Sequence, residues 1–215
     1  MLRPHSRTAA RVAASAVPSA LCEEYWRSLD LAATHKGHAW LRRNGWPLGA
    51  LTQGIGGGLL RIEPHASTYD LGDGTGIPAI ICPCWNGPAP GHPEDIIDLV
   101  AWCPSLDRMF TRRGVAAVLG EEAIRKSEPM MASTRPLVIY RNPLEWAKGH
   151  TWNDAGDHGI VIVDWEQVRR ALGHLKGAVE MLVPTIDLGR KLRIALHQPS
   201  PPPPRILVSS EGVAA

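Results

Sequence analysis

Cys82-Pro83-Cys84 places two thiols on one face of any strand that carries them, because side chains two residues apart point the same way. His92 and Cys103 lie downstream. Zinc takes a tetrahedral set of sulfur and nitrogen donors, so Cys82, Cys84, His92 and Cys103 form a candidate zinc site that would support a nucleic-acid-binding module. A single residue between paired cysteines meets that geometry less readily than two or more. Free cysteine is also among the most buried residue types, so thiols in a core strand explain the same pattern.

A second chemistry needs carboxylates. Asp164, Asp187 and Glu145 fall near the ends of expected strands, where they could hold Mg²⁺ for phosphoryl transfer or hydrolysis. His150, Trp152, Asp154, Asp157 and His158 make a third group, with two imidazoles and two carboxylates able to take a divalent cation or to exchange protons. That loop enters the amino end of its strand, whereas ligands in parallel sheets gather beyond the carboxyl ends, so a solvated polar loop is the simpler reading. The run Gly54-Ile55-Gly56-Gly57-Gly58 lacks the preceding strand, following helix and Gly-Lys-Ser/Thr ending of a phosphate cradle. Arg112-Arg113, Arg169-Arg170 and Arg190-Lys191-Arg193 could meet phosphates, yet acids lie nearby and ordinary solvated faces fit them as well. No Gly-x-Ser-x-Gly occurs, so a serine nucleophile is unsupported.

The elements that would position these residues follow from periodicity and punctuation. Helical spacing of Leu21, Tyr25, Leu29, Ala32 and Ala33 predicts one amphipathic helix from Ser19 to about Asn44, with Gly37 its weak point. Leu59 to Ile62 and Ile77 to Cys82, separated by Gly72-Asp73-Gly74, read as a small antiparallel hairpin. Ile96 to Trp102 reads equally as a helix opened by Pro93 or as a strand. A helix is expected from Arg112 to Leu119, stopped by Gly120.

Beyond residue 134 the apolar runs 137–140, 159–163, 179–183 and 206–208 alternate with helical stretches opened by Asn142-Pro143, Asp164 and Thr185. Continuous Val/Ile/Leu runs joined by helices predict a parallel sheet covered on both faces. The expectation is α/β, α+β overall: a C-terminal parallel βαβαβαβ layer domain with an N-terminal helix and a small mixed hairpin lobe. Its divisions are a flexible extension (1–18), a helical and hairpin lobe (19–133), a parallel lobe (134–209) and a tail (210–215). Pro199 to Pro204 reads as an extended connector.

Composition sets the outer limits. Hydrophobic residues at 44% and charged residues at 20% describe a chain able to bury a core, and a formal charge of +2 implies no strong field for nucleic acid or membrane. Four cysteines are too few for a disulfide scaffold, which favours a reducing cytoplasm. The Arg-rich, acid-free segment before Glu23 has the composition of a presequence as well as that of a frayed extension. The uncharged stretch from Gly74 to Pro93 is broken by prolines, so no membrane span is expected. Eight tryptophans exceed the needs of a small core and direct attention to a protein partner.

Two resemblances add to this. Asp164 at a strand end and Val183-Pro184-Thr185-Ile186-Asp187-Leu188-Gly189-Arg190-Lys191-Leu192 after a later strand resemble a degenerate toprim domain, a family of primases and topoisomerases whose acids hold Mg²⁺. Here Arg141 follows the first strand where an acid would stand, Glu145 is a turn further on, and Thr185 replaces one member of the later Asp-x-Asp pair. The resemblance implies that fold without its activity. Ile96-Ile97-Asp98-Leu99-Val100-Ala101-Trp102, Arg113-Gly114, Leu119-Gly120 and Tyr140-Arg141-Asn142-Pro143-Leu144-Glu145-Trp146 are similar to small uncharacterised proteins of bacterial prophages and plasmids. The expected function is therefore a non-catalytic accessory protein of a mobile element, beside DNA-processing proteins. A metal-dependent phosphoryl-transfer enzyme and a zinc-supported nucleic-acid binder are its alternatives.

Overall fold

A computed structural model describes residues 20–46, 54–85, 96–126, 136–152, 159–173, 175 and 180–197. Two helices open it, α1 (Ala20–Ala33) and α2 (His35–Arg43). The break falls at Thr34 and not at Gly37. The Thr34 hydroxyl donates to the Leu31 carbonyl at 2.8 Å and accepts from the Gly37 N–H at 3.0 Å, ending one helix and capping the next. Gly37 then lets the first turn of α2 press on the end of α1, where a Cβ would meet the Leu31 and Ala32 carbonyls.

Five strands follow as one antiparallel sheet: β1 (Gly56–Arg61), β2 (Asp70–Leu71), β3 (Ile77–Trp85), β4 (Ile96–Cys103) and β5 (Arg108–Thr111), in the order β2-β1-β3-β4-β5. The expected hairpin is its β1 and β3 pair, with Leu60 opposite Ile77. The glycine run is strand β1, with α1 against it. A Cβ at Gly56 would lie 2.7 Å from the Ser28 Cβ, so this position is glycine because α1 comes close. The ambiguous run is strand β4, buried on both faces between β3 and β5.

The helix expected from Arg112 to Leu119 is absent. That stretch is an irregular loop, then the two-residue strand β6 (Val118–Leu119), then helix α3 (Glu121–Lys126). The cause is Asp98, fully buried at the edge of β4. Its Oδ1 accepts from the backbone N–H groups of Leu99, Arg112 and Arg113 at 2.8, 3.0 and 2.9 Å, and its Oδ2 from those of Val115 and Ala116 at 2.8 and 2.9 Å. One carboxylate thus satisfies N–H groups that a helix would otherwise have used.

The second sheet comprises β7 (Leu137–Tyr140), β8 (Gly159–Ile162), β9 (Met181–Leu182) and β6, in the order β6-β8-β7-β9. Helices α4 (Pro143–Trp152), α5 (Val168–Leu172) and α6 (Ile186–His197) alternate with these strands. β7 runs parallel to both β8 and β9, as expected, but β6 pairs antiparallel with β8. The described residues therefore form a mixed sheet of three parallel strands and one antiparallel edge, not the expected all-parallel βαβαβαβ layer. The run 206–208 lies outside the described residues.

The sheets share one core. Ile80, Cys82, Cys84, Val100 and Trp102 from the first sheet pack in one cluster with Leu119, Ala147 and Val161. The opposite face of the first sheet packs Ala79, Ile81, Leu99, Ala101, Cys103 and Phe110 with Leu21 and Tyr25 of α1. Arg112 fastens α1 to the Asp98 loop, with its guanidinium on Glu24 at 2.8 Å and on Asp70 at 3.0 Å.

Candidate functional site

The thiols do not converge. Cys82 and Cys84 face the cluster shared by both sheets, while Cys103 faces the cluster under α1, on the other side of the sheet. Burial pushes the Cys82 thiol up to about 12 and, opposed by Arg108, the Cys103 thiol up to about 11. Cys84 donates to the Val118 carbonyl at 3.7 Å, a protonated thiol tying β3 to β6. His92 lies outside the described residues, as do Asp154, Asp157 and His158. Among the described residues no group of three His, Cys, Asp or Glu side chains could hold a metal ion.

Each candidate carboxylate has partners of its own. Glu145 pairs with Arg141 at 2.8 Å, while its backbone N–H donates to the Asn142 side chain at 3.0 Å. This is the start of α4, with Asn142 as cap and Glu145 in the first turn. Asp164 follows β8, and its Oδ1 accepts from the Glu166 N–H while its Oδ2 accepts from the Gln167 side chain, both at 2.8 Å. It closes a turn ahead of α5 and does not cap that helix, whose cap position is Gln167. Asp187 stands on the surface of α6, paired with Arg190 at 3.2 Å. Thr185, in contrast, caps α6 as expected, its hydroxyl accepting from the Leu188 N–H at 3.2 Å.

A cleft of about 450 Å³ opens where the three parallel strands end. Tyr140, Arg141 and Asn142 follow or end β7, Ile162 and Trp165 come from the end of β8, and Leu188 and Lys191 come from α6 after β9. Trp102, Asp107 and Met109 of the first sheet close it from the other side. The order β8-β7-β9 places the second strand on one side of the first and the third on the other, the switch in direction at which open α/β sheets take ligands. Glu145 lines this cleft, whereas Asp164 lines a neighbouring hollow of about 300 Å³ with Ser67, Thr111 and Glu166.

The walls are aromatic and the charge is cationic and anionic by turns. Lys191 Nζ sits 4.0 Å from the Trp165 ring centroid. The Tyr140 ring lies between Gly149 and Gly159, where a Cβ on either would strike it, and burial raises its hydroxyl pKa. Trp102 is 6% exposed, and its indole N–H, like that of Trp46 beside it, has no acceptor among the described residues. Sequence reasoning named Asp164, Asp187 and Glu145, and Lys191 among cations that could meet phosphates, but missed Trp102 and Trp165 and the cleft that gathers them. The available signal was that all three parallel strands are followed by segments containing Tyr140-Arg141-Asn142, Trp165 or Lys191.

Searches of protein-family models, curated proteins and solved structures find no match to this chain. No helix among the described residues is long and apolar enough to cross a membrane.

Proposed function

We propose that this chain is a non-catalytic accessory protein of a mobile genetic element, working in the cytoplasm beside DNA-processing proteins and acting by binding. The observation that carries this reading is the prior engagement of all three candidate carboxylates: Glu145 with Arg141, Asp164 with the turn that follows it, and Asp187 with Arg190. A catalytic Mg²⁺ needs several oxygen ligands around one point, and Glu145 and Asp164 line separate hollows while Asp187 lines neither. The toprim resemblance keeps its sense as a scaffold without the acids' chemistry. The prophage and plasmid resemblance rests on residues that build β4, the Asp98 loop and the start of α4, and it supplies the setting.

A protein partner is supported by exposed apolar side chains in and beside α6, namely Leu182, Ile186 and Ile194, with Ile186 at 82% exposure. All four cysteines are buried free thiols, the state that a reducing cytoplasm maintains. The rival reading, metal-dependent phosphoryl transfer, predicts a cation site built from the carboxylates. Calorimetric titration with Mn²⁺ separates the two. The accessory reading expects no saturable site that disappears in the Glu145→Gln, Asp164→Asn, Asp187→Asn triple variant, and a site abolished by those changes would overturn it.

A further inference from the structure

We propose that the cleft at the ends of β7, β8 and β9 binds a small organic anion with a flat aromatic body, of the mononucleotide class. The inference rests on reading the chain as a binder and assigns that binder a ligand. Three features converge on one cavity. Its position is the switch point of the parallel strands, with segments following all three lining it. Its volume of about 450 Å³ lies within the range of small-molecule sites. Its walls join the half-buried rings of Tyr140 and Trp165, which suit a flat ring, to the cations Arg141 and Lys191, which suit a phosphate.

The charges decide which cation does the recognising. The Glu145 carboxylate already meets Arg141 at 2.8 Å. Lys191 has no carboxylate partner among the described residues and rests on the Trp165 ring, from which its ammonium can turn to an entering anion. Asp107 also lines the cleft, opposite in sign, and favours a ligand whose charge is confined to one end, placed at Lys191.

A free mononucleotide and the 5′-terminal nucleotide of a single strand present the same chemistry. Calorimetric titration of the full chain would therefore use adenosine 5′-monophosphate and a 5′-phosphorylated oligoadenylate, with adenosine and inorganic phosphate as half-ligands. At least one phosphorylated adenosine probe should bind more tightly than either half-ligand, and the tighter of the two names the source. Lys191→Met, at an exposed position where folding is not at stake, should weaken it about tenfold, the effect of losing one charge-assisted contact. Arg43→Met, an exposed cation on α2, should leave it unchanged. No saturable binding of either probe, equal affinity in Lys191→Met, or equal losses in both variants would overturn the assignment. Phosphate release from a bound probe would keep the site and overturn the non-catalytic reading instead.

Discussion

At the scale of single residues, the side chain that matters most to the fold is Asp98, an acid inside an apolar strand. Five backbone N–H groups, four of them between Arg112 and Ala116, donate to its two oxygens in a place closed to water. Asp98→Ala would leave four of those donors without this acceptor, the Arg112 N–H keeping the Leu99 carbonyl at 2.9 Å, and we expect it to lower the unfolding free energy by about 3–5 kcal/mol, read by denaturant titration. A loss within the ordinary surface range would mean the loop holds itself. The cysteines make a separate prediction. In the fold the Cys82 thiol ionises at about 12 against its ordinary 9.0, Cys103 at about 11 against 9.0, and Tyr25, raised by burial, at about 12 against 10.0. The unfolded chain therefore releases these protons first, so their contribution to stability is complete below pH 9.0 and is lost as pH climbs towards 12. Thermal unfolding measured across that window should show a midpoint falling with pH, and Cys82 and Cys103 should resist thiol reagents until the chain opens.

At the scale of elements, packing of α1 on β1 explains Gly56, in a glycine run that sequence alone shows only not to be a phosphate cradle. Gly56→Ala should cost about 1–3 kcal/mol, because its Cβ would enter the Ser28 side chain at 2.7 Å. Gly57→Ala should be nearly neutral, because its Cβ would meet that of Ala32 at an ordinary 3.7 Å. Paired thermal melts check both, and equal effects would contradict this packing. The same scale shows what was legible. β7, β8, α4 and α6 could be read because apolar runs there alternate with Asn142 and Thr185 caps, and local signals suffice for local structure. The run 96–102 stayed open between helix and strand because β4 is buried on both faces, α1 covering one side and the second sheet the other, so no alternation shows. The non-helical path from Arg112 to Ala116 was illegible, since its cause is Asp98, up to 18 residues earlier in the chain. β6 was too short to show any period, and only its pairing with β8 defines it. Of the candidate site, the carboxylates could be seen as residue types. Their partners, and the cleft that joins Trp102 to Lys191, depend on sheet order.

At the scale of the whole molecule, two sheets meet through one cluster, and the cleft lies along their meeting line with both sheets in its walls. This arrangement places ligand-type residues where parallel strands end, while Glu145 and Asp164 line separate hollows and Asp187 lines neither. On the proposed function the molecule binds at this junction and performs no carboxylate chemistry there. The most direct test is turnover of phosphodiester and phosphomonoester substrates with Mg²⁺ or Mn²⁺, comparing the wild-type chain with the Glu145→Gln, Asp164→Asn, Asp187→Asn variant prepared identically. A binder without carboxylate chemistry should give equal rates for the two, at the level of the buffer. Turnover by the wild-type chain that the variant lacks would contradict it and make these carboxylates catalytic residues.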